Sequence, residues 1–259
     1  NGNGSKATQA PPATNAPMPW PTGVCPAVRG SQHNASTMKK FNTAGPSIPG
    51  DHFMIDPLER IDIENIESLI ADKRYFVLHA PRQTGKTTCL LALMHHLNAR
   101  PTYRALYVNI EAAQAARGDV EAGVAAMCSA MTNAARLYLH DAALAQWLYH
   151  GEGASAPATD RFASLLAHWS QHDPQHPAQP GSPRPTVLLL DEVDALVGDT
   201  LISLLRQIRA GYAQRPGAFP QTIILCGVRD VRDYRIHTAH HEIITGGSAF
   251  NIKAKSLRL

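Results

Sequence analysis

The chain has 259 residues and a formal charge of +3, from 24 basic and 21 acidic side chains. That length allows one large domain or two small ones with a buried core, and 44% hydrophobic content excludes global disorder. A charge this small makes no case for a nucleic-acid partner, and no apolar run reaches the 18 residues that would suggest a membrane span.

Residues 1–37 are rich in Asn, Pro, Ala, Gly, Ser and Thr, with Lys6 and Arg29 as their only charges. They read as a disordered leader or upstream sequence. Met38 opens the organised sequence and is the expected true start, so 38–259 forms the predicted core. Eight of the 19 prolines precede Asp51 and five fall between Pro174 and Pro185, which marks 171–186 as a flexible loop inside that core. No charged start followed by an apolar stretch marks a secretory signal. Cys25, Cys89, Cys128 and Cys226 show neither CxxC nor zinc spacing. A reducing, cytoplasmic setting is the default expectation.

Asp56-Pro57-Leu58-Glu59 predicts a helix start: a capping Asp, Pro at the first helical position and Glu three residues on. Leu58, Ile61, Ile66, Leu69 and Ile70 continue at helical spacing. Tyr75–His79 predicts a short strand, Lys86–Asn98 a helix and Ala105–Ile110 a second strand. Val120–Tyr138 and Asp160–Trp169 predict helices. Val187–Leu190 is a continuous apolar run, as expected for a parallel strand covered on both faces. Thr200–Tyr212 predicts a helix, Thr222–Cys226 a fourth strand and Asn251–Leu257 a fifth. Strands alternating with helices predict an α/β fold built on a parallel sheet.

Ala80-Pro81-Arg82-Gln83-Thr84-Gly85-Lys86-Thr87-Thr88 follows the first strand and fits the P-loop pattern, with Ala80 in place of the first glycine. The chemistry explains the residue types. Backbone N–H groups of the loop and the positive end of the following helix cradle phosphates. Gly85 allows close approach of the backbone. Lys86 neutralises β/γ-phosphate charge, and the Thr87 hydroxyl is a Mg²⁺ ligand. A residue before proline is driven to extended backbone, so Ala80 can finish the strand without needing glycine.

The run Val187-Leu188-Leu189-Leu190 ends in Asp191-Glu192, 105 residues after Lys86. An acid at the C-terminal end of a parallel strand reaches the ligand crevice. Asp191 is read as holding Mg²⁺, directly or through water, and Glu192 as the general base that activates the attacking water. Asp194 reads as a helix cap or a solvated acid. Arg229, just past the fourth strand, is a candidate for pairing with phosphate oxygens; the alternative is an ion pair with Asp230 or Asp233 or a helix end. Arg206, Arg209 and Arg215 are candidates for a finger to a neighbouring subunit, against the commoner role of a solvated face. His168, His172 and His176 recur every four residues, but Pro174 interrupts any helix that would gather them around a metal, so they read as a solvated loop. The sequence carries no Asn/Thr-Lys-x-Asp guanine motif and no Leu-Ser-Gly-Gly-Gln, which argues against a GTPase and a transporter-type ATPase.

Phe41-Asn42-Thr43-Ala44-Gly45-Pro46, Asp56-Pro57-Leu58-Glu59-Arg60, the strand and P-loop of 75–88, Leu190-Asp191-Glu192-Val193-Asp194, Gly227-Val228-Arg229-Asp230 and Phe250-Asn251-Ile252-Lys253-Ala254 together resemble bacterial AAA-like ATP-binding proteins, related to STAND and origin-recognition-type ATPases. The resemblance covers about 39–259. It implies a three-layer αβα P-loop NTPase with a five-stranded sheet in the order 5-1-4-3-2, the sensor strand lying between the two Walker strands. It implies ATP as substrate with Mg²⁺, Lys86 and Thr87 as Walker A, Asp191 and Glu192 as Walker B, and Arg229 as a sensor arginine. It sets Phe53–Ile55 and Arg60 beside the adenine. It also implies a lid domain beyond Leu259, and ATP/ADP with a protein partner or a second copy as partners. Three functions follow from it: an ATPase coupled to conformational change, a nucleotide switch with slow or no turnover, and a nucleic-acid-associated ATPase. The last lacks support from this chain, which has no basic stripe interleaved with aromatics.

Overall fold

Four apolar runs of five or six residues become the centre of a parallel sheet because each can be buried on both faces. In a computed structural model, which describes residues 39–43, 50–174, 183–230, 235–237, 243–245 and 251–259, these are β1 (Tyr75–His79), β2 (Arg104–Asn109), β3 (Thr186–Asp191) and β4 (Thr222–Gly227). A short antiparallel pair follows, β5 (Arg235–His237) and β6 (Ile243–Thr245). Neither strand of that pair was expected from the sequence. Then β7 (Lys253–Arg258) joins the main sheet.

The sheet order is β2-β3-β4-β1-β7, with every neighbouring pair parallel. Counting β7 as the fifth strand of the sheet, this is the order 5-1-4-3-2. The expected three-layer αβα P-loop NTPase fold is therefore the one observed.

Side chains alternate across the sheet at the strand period of two. Phe76, Leu78, Ala105, Tyr107, Val187, Leu189, Ile224 and Cys226 face one layer. That layer is made by α1 (Ile63–Ala71) and α2 (Lys86–Asn98), through Ile66, Ile70, Leu90, Leu93, Met94 and Leu97. Val77, Leu106, Val108, Leu188, Leu190, Ile223 and Leu225 face the other. There they meet α3 (Val120–Leu139), α4 (Ala143–His150), α5 (Ala158–Gln171) and α6 (Gly198–Ala210).

Two boundaries differ from expectation. The first helix starts at Ile63, with Asp62 accepting the Asn65 N–H at 3.1 Å as its cap. The Asp56 carboxylate instead accepts the Leu58 N–H at 2.8 Å and closes a turn. Both acids can satisfy an orphan N–H, and only Asp62 is followed by an uninterrupted helical face. The second difference is α4, which was not expected from the sequence although Asp141 marks its start, its Oδ1 accepting the Ala143 and Leu144 N–H groups at 3.0 and 3.3 Å. It is held by burial of Leu144 and Leu148 against the core.

At the end of the sheet opposite the P-loop, Arg215 lies over the rings of Tyr75 and Tyr212 and donates to the carbonyls of Tyr212 and Lys73. Its guanidinium is thus engaged within its own chain. Arg206 and Arg209 are exposed on α6. Arg104, nearly fully buried, lies 3.4 Å from Asp173, which also receives Arg184 at 2.8 Å. His172 is exposed at the end of α5, as expected, whereas His168 is half-buried on that helix: Trp147, His168 and His172 form a stack with ring centroids 4.4 and 4.0 Å apart. His176, Cys25, Asp233, the 1–37 segment and most of the loop centred on 175–182 lie outside the described residues. Cys89, Cys128 and Cys226 are free and buried. No helix among the described residues is long and apolar enough to cross a membrane.

Candidate functional site

Parallel pairing brings the C-terminal ends of β1, β2, β3 and β4 to one edge of the sheet. His79 is level with Gly227, and Asn109 with Asp191. Ligands of such sheets bind at this edge, and the P-loop, Asp191-Glu192 and the Asn109–Glu111 turn all emerge there.

The loop begins as an extension of the sheet. The N–H of buried Ala80 donates to the Gly227 carbonyl at 3.2 Å, which is the strand-like role that excuses the missing glycine. Gln83 (φ 61°) and Gly85 (φ 81°) then take left-handed backbone. Turns of this kind aim successive N–H groups into one concavity, an anion-binding nest. The Thr84 hydroxyl donates to the Pro81 carbonyl at 2.8 Å and braces the loop. Gly85 is the N-cap of α2 and supplies no capping side chain, so the N–H groups of the first turn are left to a ligand. Glycine suits the position because its φ of 81° disfavours any other residue; a Cβ would also stand 2.6 Å from Arg60 Nη1, the end of an exposed side chain that can move aside.

Lys86 is 6% exposed, and its Nζ donates to the carbonyls of Ala80 and Pro81, both at 3.1 Å. The ammonium is thus held across the mouth of the loop. Asp191 is fully buried. Its Oδ2 accepts the Thr87 hydroxyl at 2.7 Å and the Tyr107 hydroxyl at 3.0 Å, and its Oδ1 accepts the Glu192 N–H at 3.0 Å. A hydroxyl and a carboxylate, both hard oxygen donors, joined at the floor of a phosphate nest are a fit for Mg²⁺, which takes one or two protein oxygens and completes its shell with phosphate and water.

Glu192 turns sharply out of β3 with left-handed backbone (φ 60°, ψ 40°). For a non-glycine residue that conformation costs roughly 1–2 kcal/mol, and here it directs the side chain into the cavity over the P-loop. Burial raises its carboxyl above the usual range. Asp191, Asp194 and Glu111 push the same way, and Lys86 opposes them. Asp194 is neither a helix cap nor free: its Oδ1 accepts the Val228 N–H at 3.2 Å and ties the turn after β3 to the end of β4.

The cavity over the loop measures about 950 Å³. Arg82, Gln83, Lys86, Thr87 and Thr88 line it from the loop, and Tyr107, Asn109, Glu111, Tyr138 and Glu192 from the sheet edge and α3. Asn42 and Thr43 reach it from the N-terminal side, where Lys40 and Phe53 pair through the backbone. A second cavity of about 380 Å³ adjoins Gly85 and Thr88 and is walled by Phe53, Met54, Ile55, Pro57 and Arg60. The segment expected beside a base thus lies against the loop. Arg229 is exposed beyond β4 and is not among the residues lining either cavity.

Tyr107, Asn109, Glu111 and Tyr138 were not anticipated as site residues. Tyr107 reads in the sequence as one more large apolar residue of a buried strand, and only the strand order sets it beside Asp191.

The model of the AAA domain family matches residues 70–234, which takes in the P-loop, the acidic pair and β1 through β4. The chain belongs to this family. Fold similarity extends to Cdc6p from Pyrobaculum aerophilum, at 17% identity and TM-score 0.48, over 80% of this chain and 46% of that one. It extends also to a chain in the Drosophila ORC bound to poly(dA/dT) DNA and Cdc6, at 10% identity and TM-score 0.45, over 78% of this chain and 29% of that one. The AAA chain therefore spans less than half the length of either structure. A comparison with curated proteins finds no match.

Proposed function

We propose that this AAA domain binds ATP with Mg²⁺ and hydrolyses it to ADP and phosphate. The observation that carries the reading is the junction of the two motifs: Thr87 at the start of α2 hydrogen-bonded to Asp191 at the end of β3, with Lys86 and Glu192 on the wall of one cavity. The β- and γ-phosphates take the loop N–H groups and the Lys86 ammonium. Mg²⁺, held by Thr87 and Asp191, would neutralise phosphate charge. Glu192 accepts the proton of the attacking water, and its raised carboxyl pKa makes it a better base than an ordinary carboxylate. The 380 Å³ cavity beside Phe53, Ile55 and Arg60 takes the base.

One observation favours a second reading, a nucleotide-held switch with slow turnover. Arg229 is outside the cavity, so the cations lining it among the described residues are Arg82 and Lys86. An arginine acting on the transferred phosphoryl group is worth 10³–10⁵ in rate where it has been measured; with Arg229 outside, that role is left to Arg82 of the loop, and turnover would be slow if Arg82 does not reach the group. Such a protein would purify with ADP bound.

Equilibrium binding of a fluorescent ATP analogue, with and without Mg²⁺, tests the shared part of both readings. Saturable binding by the wild-type chain that is lost in Lys86→Ala supports it. Equal binding by the two proteins overturns it.

A further inference from the structure

We propose that Tyr107 is a positioning residue for the metal, setting the Asp191 carboxylate so that Thr87 is presented to Mg²⁺. The inference rests on the ATP–Mg²⁺ reading above and adds a residue to it.

The argument starts from hydrogen-bond capacity. A carboxylate oxygen offers two lone-pair directions. On Asp191 Oδ2 both are taken, one by the Thr87 hydroxyl at 2.7 Å and one by the Tyr107 hydroxyl at 3.0 Å. Because the Thr87 proton points to Asp191, the lone pairs of that hydroxyl are left for an ion in the cavity. Oδ1 is held by the Glu192 N–H at 3.0 Å. The carboxylate is therefore fixed at both oxygens, by donors from β2, from α2 and from the turn after β3. Tyr107 is the hydroxyl donor that comes from β2, and the weaker thiol of Cys226 on β4 touches the same carboxylate.

A merely space-filling role at 107 needs no hydroxyl. The ring is 6% exposed, packs with the α2 layer and meets Tyr138 edge-on at 6.1 Å, contacts that phenylalanine would preserve. Groups that orient a metal ligand typically contribute 10–100-fold to metal affinity or activity.

The test is the Mg²⁺ concentration that half-saturates the gain in ADP affinity, measured by fluorescent-nucleotide titration on wild type and Tyr107→Phe. Tyr75→Phe is the control. It deletes another buried phenol hydroxyl, the one that donates to the Pro220 carbonyl at 2.9 Å at the far end of β1. Tyr107→Phe should raise the Mg²⁺ half-saturation by about 10-fold or more and leave ADP affinity in EDTA unchanged, while Tyr75→Phe should leave both unchanged. An unshifted Mg²⁺ dependence in a Tyr107→Phe protein that melts cooperatively overturns the proposal. An equal shift in Tyr75→Phe overturns it too, since the effect would then be general loosening. Should Tyr107→Phe not fold, Tyr107→3-fluorotyrosine keeps the shape and strengthens the donor. It should hold or lower the half-saturation, and a rise refutes the role. Failure of wild type itself to bind ADP would strike the ATP–Mg²⁺ reading, which separates the two claims.

Discussion

Glu192→Gln separates base catalysis from nucleotide binding. The amide keeps the shape of the side chain and the left-handed turn at 192, but it cannot accept a proton. A positioned general base contributes about 10²–10⁴ in rate, or about 2.7–5.5 kcal/mol of barrier. Steady-state phosphate release should fall by that factor, while ATP affinity, set by the loop and Lys86, stays the same. The substitution has a second expected effect. The native carboxylate is raised by burial and faces Asp191, Asp194 and Glu111, so removing its charge should make the ligand-free protein more stable at neutral pH. That gain should appear as a rise in Tm of the ligand-free protein. The wild-type pH–rate profile follows from the same shift. The protonated form is inactive, so the acid limb should lie above the usual carboxylate range and vanish from the residual activity of Glu192→Gln. Phosphate release, a binding titration and a melting curve on one pair of proteins cover all three. Hydrolysis by Glu192→Gln at the wild-type rate would refute the assignment. A loss of ATP affinity matching the loss of rate would also refute it, since Glu192 would then be holding the nucleotide.

Three further outcomes are expected. Gly85→Ala should weaken nucleotide binding and cost about 1–2 kcal/mol of stability, because position 85 is left-handed; a binding titration and a denaturant melt read the two effects. Burial, His172 and Arg104 hold His168 at about 4, against an ordinary value near 6.5. The unfolded chain therefore takes up the proton first, and stability present above pH 6.5 is lost as pH falls toward 4; Tm against pH should be flatter over that window in His168→Phe. Arg104→Ala should cost roughly 3 kcal/mol or more in a chemical melt, since it removes one member of a buried charge network and the donor to the Trp169 and His172 carbonyls, while Asp173 keeps its Arg184 fork.

The parts of the fold legible in the sequence are those fixed by local chemistry. Lys86–Asn98 is bounded by Gly85 and by Pro101 and has one apolar face, and the helix has those limits. The run at 187–190 could only be a doubly covered strand, and it lies mid-sheet. The Walker residues are legible because phosphate chemistry constrains their spacing. What escaped the sequence depends on tertiary contact. The choice between Asp56 and Asp62 as cap is decided by which acid precedes a helix that packs, and α4, whose first N–H groups Asp141 accepts, persists because Leu144 and Leu148 find the core. Tyr107 was illegible for the same reason. Its hydroxyl gains a function only when β2 lies beside β3, 84 residues later. Arg229 shows the converse. Its distance from a strand end in sequence suggested a phosphate contact, and the backbone after β4 carries it outside the cavity.

Calorimetric titration of the chain with ATP, ADP and AMP in the presence of Mg²⁺ tests the central claim most directly. The loop N–H groups, Lys86 and Thr87 all address the phosphates beyond the first, so ATP and ADP should bind saturably and AMP far more weakly. AMP binding as tightly as ADP, or no saturable binding of either, would contradict the assignment of this cavity as a P-loop nucleotide site.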